Sequence, residues 1–281
     1  MNIDDFNLVA RILKDRSGLV LGSDKAYLLE SRLNPVARKY DLGGVDDLVA
    51  LIRRGSNEKL LVDVTEAMTT NESFFFRDQK PFDQFRDLVL PYMLDHRSQA
   101  KKLRIWCAAC SSGQEPYSLA MVLKEQAAAM AGWSIEILAT DLSLEILAKA
   151  KEGAYSQFEV QRGLPVQFLM KYFKQEGERW KISDEIRNMV SFRPHNLLEQ
   201  PPAMRQIDVV FCRNVLIYFD PETKTKALEL IAGVMAEDGF LFLGGAETVL
   251  GVSERFQLIP GQRGVYGLTA GTGGLAAGTA A

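Results

Sequence analysis

Residues 103–118 read LRIWCAACSSGQEPYS, and this stretch indicates the fold of the chain. A short β-rich run ends in small residues, turns at Gly113 and continues directly into a helical pattern. In an open α/β sheet such a turn lies at the carboxyl end of a strand, where ligands bind. The stretch therefore predicts a site for a nucleotide-like ligand near the middle of the chain.

The sequence that follows this stretch alternates between strand-like and helix-like runs. The predicted strands are residues 103–108, 135–140, 190–192, 207–212 and 240–243, and the predicted helices are 116–131, 144–151 and 221–236. This alternation is typical of a parallel sheet with crossover helices. Two last strand-like runs, 256–259 and 265–268, flank a Pro-Gly turn and predict an antiparallel hairpin at the sheet edge. The predicted fold class is α/β with a mixed sheet.

The first part of the chain lacks this alternation and follows helical periodicity instead. Apolar residues recur at helical spacing within 6–13, 28–37, 45–52, 58–68 and 82–93. Ser23 and Asp24 are suited to cap the second of these helices, and Pro35 is expected to kink or split it. The sequence therefore predicts a small all-helical N-terminal domain.

An aromatic-rich stretch at about 155–190 does not fit a plain crossover connection. Its turn signals predict an inserted β-subdomain with a short hairpin around Gly177. The predicted organisation is a helical domain with its linker over 1–78 and an α/β domain over 79–268 that carries the insertion. The Gly/Ala/Thr-rich tail, 269–281, is expected to be disordered.

Composition excludes several classes of protein. The net charge of −3 over 281 residues argues against bulk nucleic-acid binding. Two histidines and three cysteines disfavour a metal site, Ser-His-Asp catalysis and a disulfide framework, and they favour the cytoplasm. No apolar run approaches the ~18 residues of a membrane span.

The turn at Gly113 does not match the dinucleotide fingerprint, because Ala109 and Ser111 stand where glycines are required. A pyrophosphate has less room there, so a ligand without phosphates fits better. Cys107 and Cys110 also resemble a redox pair, but Cys107 is predicted to lie inside the strand, away from the helix N-terminus that lowers a thiol pKa.

Other polar residues are predicted at the same sheet edge. Asp141 ends the next strand, one βαβ unit (~30 residues) after the turn, where an acid binds ribose hydroxyls. The alternative is an N-cap for the helix that follows. Arg213 and Asn214 follow a buried strand, and Tyr218 comes within a turn of them. The alternative there is a capped loop with Tyr218 in the core.

A polar-aromatic segment joins the two predicted domains. Residues 69–77 read TTNESFFFR, in which Asn71, Ser73 and Arg77 flank three phenylalanines. Consecutive phenylalanines most often serve packing, whereas a domain junction is a common place for a ligand site.

Five motifs together resemble one known family. In order, they are TNESFFFR at 70–77, AACSSGQEPYS at 108–118, ATD at 139–141, HNLL at 195–198 and CRNVLIYF at 212–219. They are similar to those of the CheR-type chemotaxis receptor methyltransferases over about residues 5–268. The resemblance implies a class I methyltransferase domain, S-adenosylmethionine as methyl donor, and receptor glutamate side chains as acceptors.

The resemblance also implies roles for individual residues. It implies cofactor contacts by Asn71, Ser73, Arg77, Glu115, Asp141, Asn196, Leu197, Arg213 and Asn214. Among them, Asp141 would hold the ribose, Glu115 the methionine amino end, and Asn196 with Leu197 the adenine. Arg77 and Tyr218 would lie near the transferred methyl group.

The expected partners are the cytoplasmic helices of chemoreceptors. A basic face with Arg32, Arg38 and Lys39 is suited to dock acidic receptor helices, and a merely solvated helix face is the alternative. The predicted hairpin tip offers only Gly177 as a glycine, so a tether to a receptor's C-terminal pentapeptide is not expected. A monomer without metal, nucleic acid or membrane insertion is expected.

The predicted chemistry agrees with the scarcity of histidine. A glutamate side chain has a pKa of about 4.3 and is already ionised at neutral pH, so it needs no general base. Two rival functions stay open, a class I methyltransferase with another acceptor and a non-catalytic S-adenosylmethionine sensor. A dehydrogenase is disfavoured by the missing fingerprint.

Overall fold

The computed structural model describes residues 2–55, 58–201 and 206–271. Contacts divide the chain into two compact units, Met1–Thr70 with Tyr218–Lys224, and Asn71–Ile217 with Thr225–Ala281. The predicted division after residue 78 stays a prediction. Most of the predicted disordered tail, residues 272–281, lies outside the described residues. The described part of that tail is tied down, because Thr269 N donates to Arg255 O at 2.9 Å.

The first unit is helical, as its periodicity predicts. Its helices are α1 (Ile3–Ser17), α2 (Ala26–Lys39), α3 (Val45–Arg53) and α4 (Glu58–Met68). Their apolar faces meet in one core, in which Val9, Leu13, Leu33 and Val64 are fully buried.

The prediction that Ser23 and Asp24 cap α2 is wrong, and so is a split at Pro35, whereas a kink there stays a prediction. Ser23 and Asp24 do not cap it, because they belong to a separate 3₁₀ turn (Ser23–Lys25), and α2 begins at Ala26 without a side-chain cap. Pro35 does not split the helix, which continues to Lys39. Burial of the flanking Leu33, Val36 and Ala37 in the core offsets the backbone hydrogen bond that proline cannot make.

The second unit contains the predicted mixed sheet. Its strands are β1 (Lys102–Cys107), β2 (Ser134–Asp141), β6 (Val190–Pro194), β7 (Ile207–Cys212), β8 (Met235–Leu243), β9 (Phe256–Leu258) and β10 (Val265–Leu268). They lie in the order β6-β2-β1-β7-β8-β10-β9. The first five strands in this order, from β6 through β2, β1 and β7 to β8, pair in parallel. Strand β10 pairs antiparallel with both β8 and β9, which confirms the edge hairpin.

Helices flank this sheet. They are α5 (Lys80–Gln84), a π-helical turn (Phe85–Val89), α6 (Leu90–His96), α7 (Gln114–Glu125), α8 (Leu144–Glu152) and α12 (Pro221–Ala232). Two predicted ends are wrong: α7 stops at Glu125 rather than 131, and α12 stops at Ala232 rather than 236. Strand β8 begins early, at Met235, and its pairing with β7 shifts register between Ile207 and Val209; Gly239 lies in this irregular stretch, where a Cβ would lie 2.9 Å from Ala236 O.

A second, three-stranded sheet confirms the inserted β-subdomain. It contains β3 (Ala154–Ser156), β4 (Phe173–Glu176) and β5 (Arg179–Ile182) in the order β3-β5-β4, with α9 (Gln157–Gln161), α10 (Val166–Tyr172) and α11 (Asp184–Arg187) beside them. Strands β4 and β5 form the predicted hairpin, with Gly177 in the left-handed region at φ 61°. No helix within the described ranges is long and apolar enough to cross a membrane.

Candidate active site

The turn after β1 is packed closely from two sides. Gly113 has a φ of 92°, and a Cβ there would lie 3.1 Å from the Ala150 Cβ and 3.2 Å from the Tyr155 hydroxyl. That hydroxyl donates to Ser112 O at 2.8 Å. Glycine is therefore required at this position by both the backbone conformation and the space available.

Asp141 lies at the carboxyl end of β2, beside this turn. Its Oδ2 accepts a hydrogen bond from Ser111 N at 2.8 Å, and its Oδ1 accepts one from Ser143 N at 3.1 Å. Ser143, rather than Asp141, is the N-cap of α8, so the capping alternative is wrong. The two backbone donors hold the carboxylate at the edge where ribose hydroxyls bind in sheets of this kind.

The HNLL motif reaches the same edge, because β6 pairs in parallel with β2. His195 N donates to Asp141 O at 3.0 Å, which places the next two residues beside the end of β2. The Asn196 side chain accepts from Leu198 N at 3.1 Å, and Leu197 is buried. Burial lowers the pKa of His195, which favours the neutral imidazole.

The linker, residues 71–79, is held against the turn and α7. Ser111 Oγ donates to Asn71 O at 2.8 Å, and Phe76 N donates to the buried Ser118 Oγ at 3.0 Å. Ser73 is half-buried between these two attachment points. The linker therefore lies on the turn that bonds Asp141 and on α7, which carries Glu115.

The phenylalanines of the linker serve packing. The Phe75 ring is fully buried and makes edge contacts with Tyr155 at 5.0 Å and Phe173 at 5.5 Å. Phe74 is only half-buried, and the Arg162 guanidinium lies 4.3 Å from its ring centroid. The packing interpretation is thus correct for Phe75 and Phe76, which are buried.

A buried ion-pair network joins the linker to β7 and α7. Arg213, with a side chain 1% exposed, lies 2.8 Å from Glu115 Oε2 and 2.7 Å from Asp78 Oδ2. It also donates to Arg77 O at 2.8 Å. Burial raises the pKa of Glu115, and the nearby Arg213 opposes that effect. Direct contact of Arg213 with a cofactor stays a prediction.

The Arg77 side chain folds back onto its own linker. Its Nη1 donates to Glu72 O at 2.8 Å, and the guanidinium lies 5.6 Å from the Phe74 ring centroid. The side chain is half-buried. Both contacts turn the Arg77 guanidinium towards its own linker.

Glu247 organises the loop after β7 and was not predicted as a site residue. Its Oε2 accepts from Asn214 N at 2.8 Å and Gly244 N at 2.7 Å, and its Oε1 accepts from Val215 N at 2.9 Å and Ile217 N at 3.3 Å. The signal was present, because Glu247 follows β8 at the same sheet edge. Asp78, in the linker, and Ser111, in the turn after β1, were also not predicted as site residues.

Backbone strain collects in these segments. Five non-glycine residues of the linker, the turn and the loop after β7 have positive φ: Phe76, Asp78, Gln79, Ser111 and Asn214. Such conformations cost of order 1–3 kcal/mol each and cluster at functional sites. The carboxyl edge of the sheet is the candidate site.

The remaining predicted site residues lie in the first unit. Arg32 donates to Met68 O at 2.7 Å, and Lys39 pairs with Asp63 at 2.8 Å, so part of the predicted basic face stabilises the unit itself. Arg38 is exposed. Tyr218 is half-buried rather than a core residue.

The described residues show neither a cluster of metal ligands nor an exposed thiol. No group of three or more His, Cys, Asp or Glu able to hold a metal ion occurs in the described part of the chain. Cys107, Cys110 and Cys212 are buried, and burial raises their thiol pKa values, which disfavours reactive thiolates.

The donor set suits S-adenosylmethionine better than a dinucleotide. Asp141 has a carboxylate oriented by two backbone donors, and Glu115 has a second one paired with Arg213; their predicted contacts with ribose hydroxyls and an amino group stay predictions. The strands, the glycine turn and this pair of acids define a class I S-adenosylmethionine-dependent methyltransferase.

Comparison with known proteins narrows the class. The chain belongs to the CheR methyltransferase family: its SAM binding domain model matches residues 71–265, and its all-alpha domain model matches residues 4–69. The chain is 38% identical over 253 residues to the chemotaxis protein methyltransferase of Vibrio parahaemolyticus, which covers 89% of this chain and 91% of that protein. It is 40% identical over 267 residues to chemotaxis protein methyltransferase 1 of Pseudomonas aeruginosa, which covers 93% of this chain and 96% of that protein. The family resemblance and the cofactor are confirmed.

Proposed function

We propose that this protein methylates the side-chain carboxylates of glutamates on the cytoplasmic helices of chemoreceptors, for adaptation in chemotaxis. Family membership and the names of its relatives support this acceptor. The observation that carries the proposal is the linker held on the sheet edge. Its bonds from Ser111 to Asn71 and from Phe76 to Ser118 place Arg77 next to the Arg213–Glu115 network.

The proposed roles follow the chemistry of each side chain. Asp141 binds the ribose hydroxyls, Glu115 the methionine amino group, and Asn196 with Leu197 the adenine. When bound, S-adenosylmethionine supplies a methyl group on a positively charged sulfur. The acceptor glutamate is ionised at neutral pH and needs no base. The remaining task of the protein is to exclude water and to align the reacting groups.

Arg77 and Tyr218 are proposed to orient the acceptor carboxylate. A cation attracts the carboxylate, but a tight ion pair would weaken it as a nucleophile. The bond from Arg77 to Glu72 O limits how closely the guanidinium can follow the acceptor. The Tyr218 hydroxyl is proposed to donate a single neutral hydrogen bond.

The test is incubation with methyl-labelled S-adenosylmethionine and a chemoreceptor cytoplasmic fragment. A glutamate methyl ester releases its label as methanol in mild base, whereas methyl groups on nitrogen stay bound. Base-labile label on the fragment is the expected result. Stable label, or none, would contradict the proposed acceptor.

Two variants test the proposed catalytic roles. Arg77→Ala and Tyr218→Phe are expected to lower kcat more than S-adenosylmethionine affinity, by about 10²-fold for a lost transition-state contact. Tyr27→Phe, at a side chain 68% exposed, is the matched control and is expected to behave as wild type. Unchanged turnover in both site variants would overturn the assignment.

The finer statements about partners are also proposals. We propose a cytoplasmic monomer that does not use the pentapeptide tether. The two-residue hairpin tip, Gly177 and Glu178, supports the last point, because it has little backbone to wrap around a peptide end. Equal methylation of fragments with and without the pentapeptide is the expected result.

A further inference from the structure

The second unit contains a cleft of about 830 Å³. It is lined by residues of three segments, 78–84, 243–248 and 258–266, and we call it the glycine cleft. Four of its lining residues are glycines: Gly244, Gly245, Gly261 and Gly264. Its volume falls within the ~300–1,000 Å³ that is usual for ligand-binding clefts.

The glycine cleft adjoins the candidate active site. Two of its lining residues, Asp78 and Glu247, belong to the networks described above. Asp78 pairs with Arg213, and Glu247 accepts from Asn214 N. A molecule in the cleft would therefore lie next to the loop that carries the proposed cofactor contacts.

The exposed charges of the cleft that have no ion-pair partner are cationic. Asp78 is paired with Arg213, and Glu247 is surrounded by backbone N–H donors. The cations Lys80 and Arg263 are exposed, and neither forms an ion pair with a described residue. Two exposed cations without ion-pair partners, beside a site for carboxylate acceptors, favour a negatively charged occupant.

The wall of the cleft allows close approach to the backbone. A Cβ added at Gly245 or Gly261 would meet no atom within 4 Å, so the space above both residues is open. Arg263 donates to Gly245 O at 3.2 Å and thereby spans part of this wall. A wall formed in part by glycine backbone suits an extended polypeptide segment better than a compact ligand that needs enclosing groups.

We infer that the glycine cleft binds an acidic segment of the acceptor polypeptide that flanks the target glutamate. This inference rests on the proposed function, because the acceptor is a receptor protein only if that function holds. It adds a second contact surface for the acceptor, in the unit that binds the cofactor.

The first test reverses the two cations. Lys80→Glu with Arg263→Glu is expected to raise KM for a receptor cytoplasmic fragment about tenfold at low ionic strength, with kcat and S-adenosylmethionine Kd unchanged. The effect is expected to shrink at about 0.5 M salt, since exposed charges are then screened. Lys101→Glu with Lys226→Glu makes the same charge change at exposed sites outside the cleft and is expected to match wild type.

The second test fills the cleft without changing charge. Gly245 has a φ outside the left-handed region, so Gly245→Phe adds a ring into open space without backbone strain. It is expected to raise the same KM about tenfold at every salt concentration, because the obstruction is steric. Gly245→Ala is the matched control and is expected to stay within about twofold of wild type.

Binding of the fragment, measured by fluorescence anisotropy with S-adenosylhomocysteine present, separates the possible failures. Weaker binding to both cleft variants supports the inference, even if the wild type yields no base-labile label, and that second result overturns only the glutamate acceptor. Equal binding of wild type and both variants overturns the cleft inference and leaves the proposed function standing. A wild type that neither binds nor methylates the fragment overturns both.

Discussion

Gly113 shows how a single residue can shape the candidate site. Its φ of 92° excludes most side chains, and a Cβ would press on Ala150 and Tyr155. Gly251 also has a positive φ, 71°, but a Cβ there meets nothing within 4 Å. A comparison of substitutions at the two glycines therefore distinguishes the free-energy cost of backbone strain from that of steric crowding.

Gly113→Ala is expected to lower the free energy of unfolding by about 2–3 kcal/mol, because strain and crowding add. Gly251→Ala is expected to cost about 1 kcal/mol from strain alone. Urea denaturation of both variants measures the difference. Equal losses would show that the close contacts at Gly113 relax without cost.

Glu247 shows how a residue outside the recognised motifs can position them. Each of its oxygens accepts two backbone hydrogen bonds. An amide nitrogen cannot accept, so Glu247→Gln leaves two N–H groups without a partner. The expected loss is about 2 kcal/mol of stability, together with a fall in kcat, because Asn214 loses its support.

Glu254→Gln is the control for this prediction, since Glu254 is exposed on the chain a short distance beyond Glu247. It is expected to leave stability and kcat unchanged. Denaturation and initial rates at saturating acceptor provide the measurements. A Glu247→Gln variant with wild-type kcat would show that the loop keeps its conformation without the carboxylate.

At the scale of elements, Arg97 joins the end of α6 to two strands. Its Nε lies 2.9 Å from Asp208 on β7, and its Nη1 lies 2.9 Å from Asp238 on β8. Burial raises the pKa of Asp208 despite this partner, whereas Arg97 lowers the pKa of Asp238. Arg97 therefore supplies the positive charge that opposes the effect of burial on the pKa of Asp208.

Arg97→Ala is expected to destabilise the protein by about 2–4 kcal/mol near pH 7.5, because Asp208 is left buried and ionised. Without Arg97 the pKa of Asp208 rises further, and protonation at lower pH removes the unpaired charge. The destabilisation should therefore shrink between about pH 7.5 and pH 5. The stability that the protein gains from the Arg97–Asp238 pair varies with pH only below the ordinary pKa of an aspartate. Asp238 therefore does not contribute to the change in destabilisation between pH 7.5 and pH 5.

Urea midpoints across this pH range measure the effect. The control is Arg86→Ala, which removes an exposed pair with Asp87 and is expected to cost less than 1 kcal/mol. A loss for Arg97→Ala that does not vary with pH would mean that packing, rather than charge, makes Arg97 important.

At the scale of the whole molecule, the first unit is assembled from two distant parts of the chain. Residues 218–224 belong to it together with the N-terminal helices. Val20 N donates to Tyr218 O at 2.9 Å, and Lys14 pairs with Asp220 at 2.6 Å. Phe219 is buried beside Gly18. The segment next to Tyr218 is therefore bonded to the helical unit and buries Phe219 against it.

Phe219→Ala is expected to lower the free energy of unfolding by about 3 kcal/mol and to speed hydrogen exchange in α1. Phe158→Ala is the control, because that side chain is 71% exposed and its loss should cost little. Mass spectrometry of hydrogen exchange reports both variants. Unchanged protection of α1 would show that the N-terminal helices are stable without this segment.

The sequence by itself determined the element types, the mixed sheet and the sheet edge at which the candidate site is predicted. Hydrophobic period, the glycine turn and polar residues after buried strands are local signals, because they follow from the backbone geometry of neighbouring residues. Asp141 was predicted in this way, whereas Glu115 was predicted from the family resemblance, and the roles of both stay predictions. The ends of α7 and α12 were not predicted correctly, since a helix ends where packing stops favouring it, and local propensity only weakly marks that point.

Only the tertiary structure decided which distant residues share a bond. Arg213 meets Glu115 across 98 positions, and Glu247 meets Asn214 across 33. No local pattern marks such partners, because each depends on the register of strands far apart in sequence. The same is true of the basic face, where Arg32 binds Met68 O, and of the glycine cleft, which three separate segments enclose. Local chemistry therefore indicated what the site binds, and long-range packing decided how its residues are held.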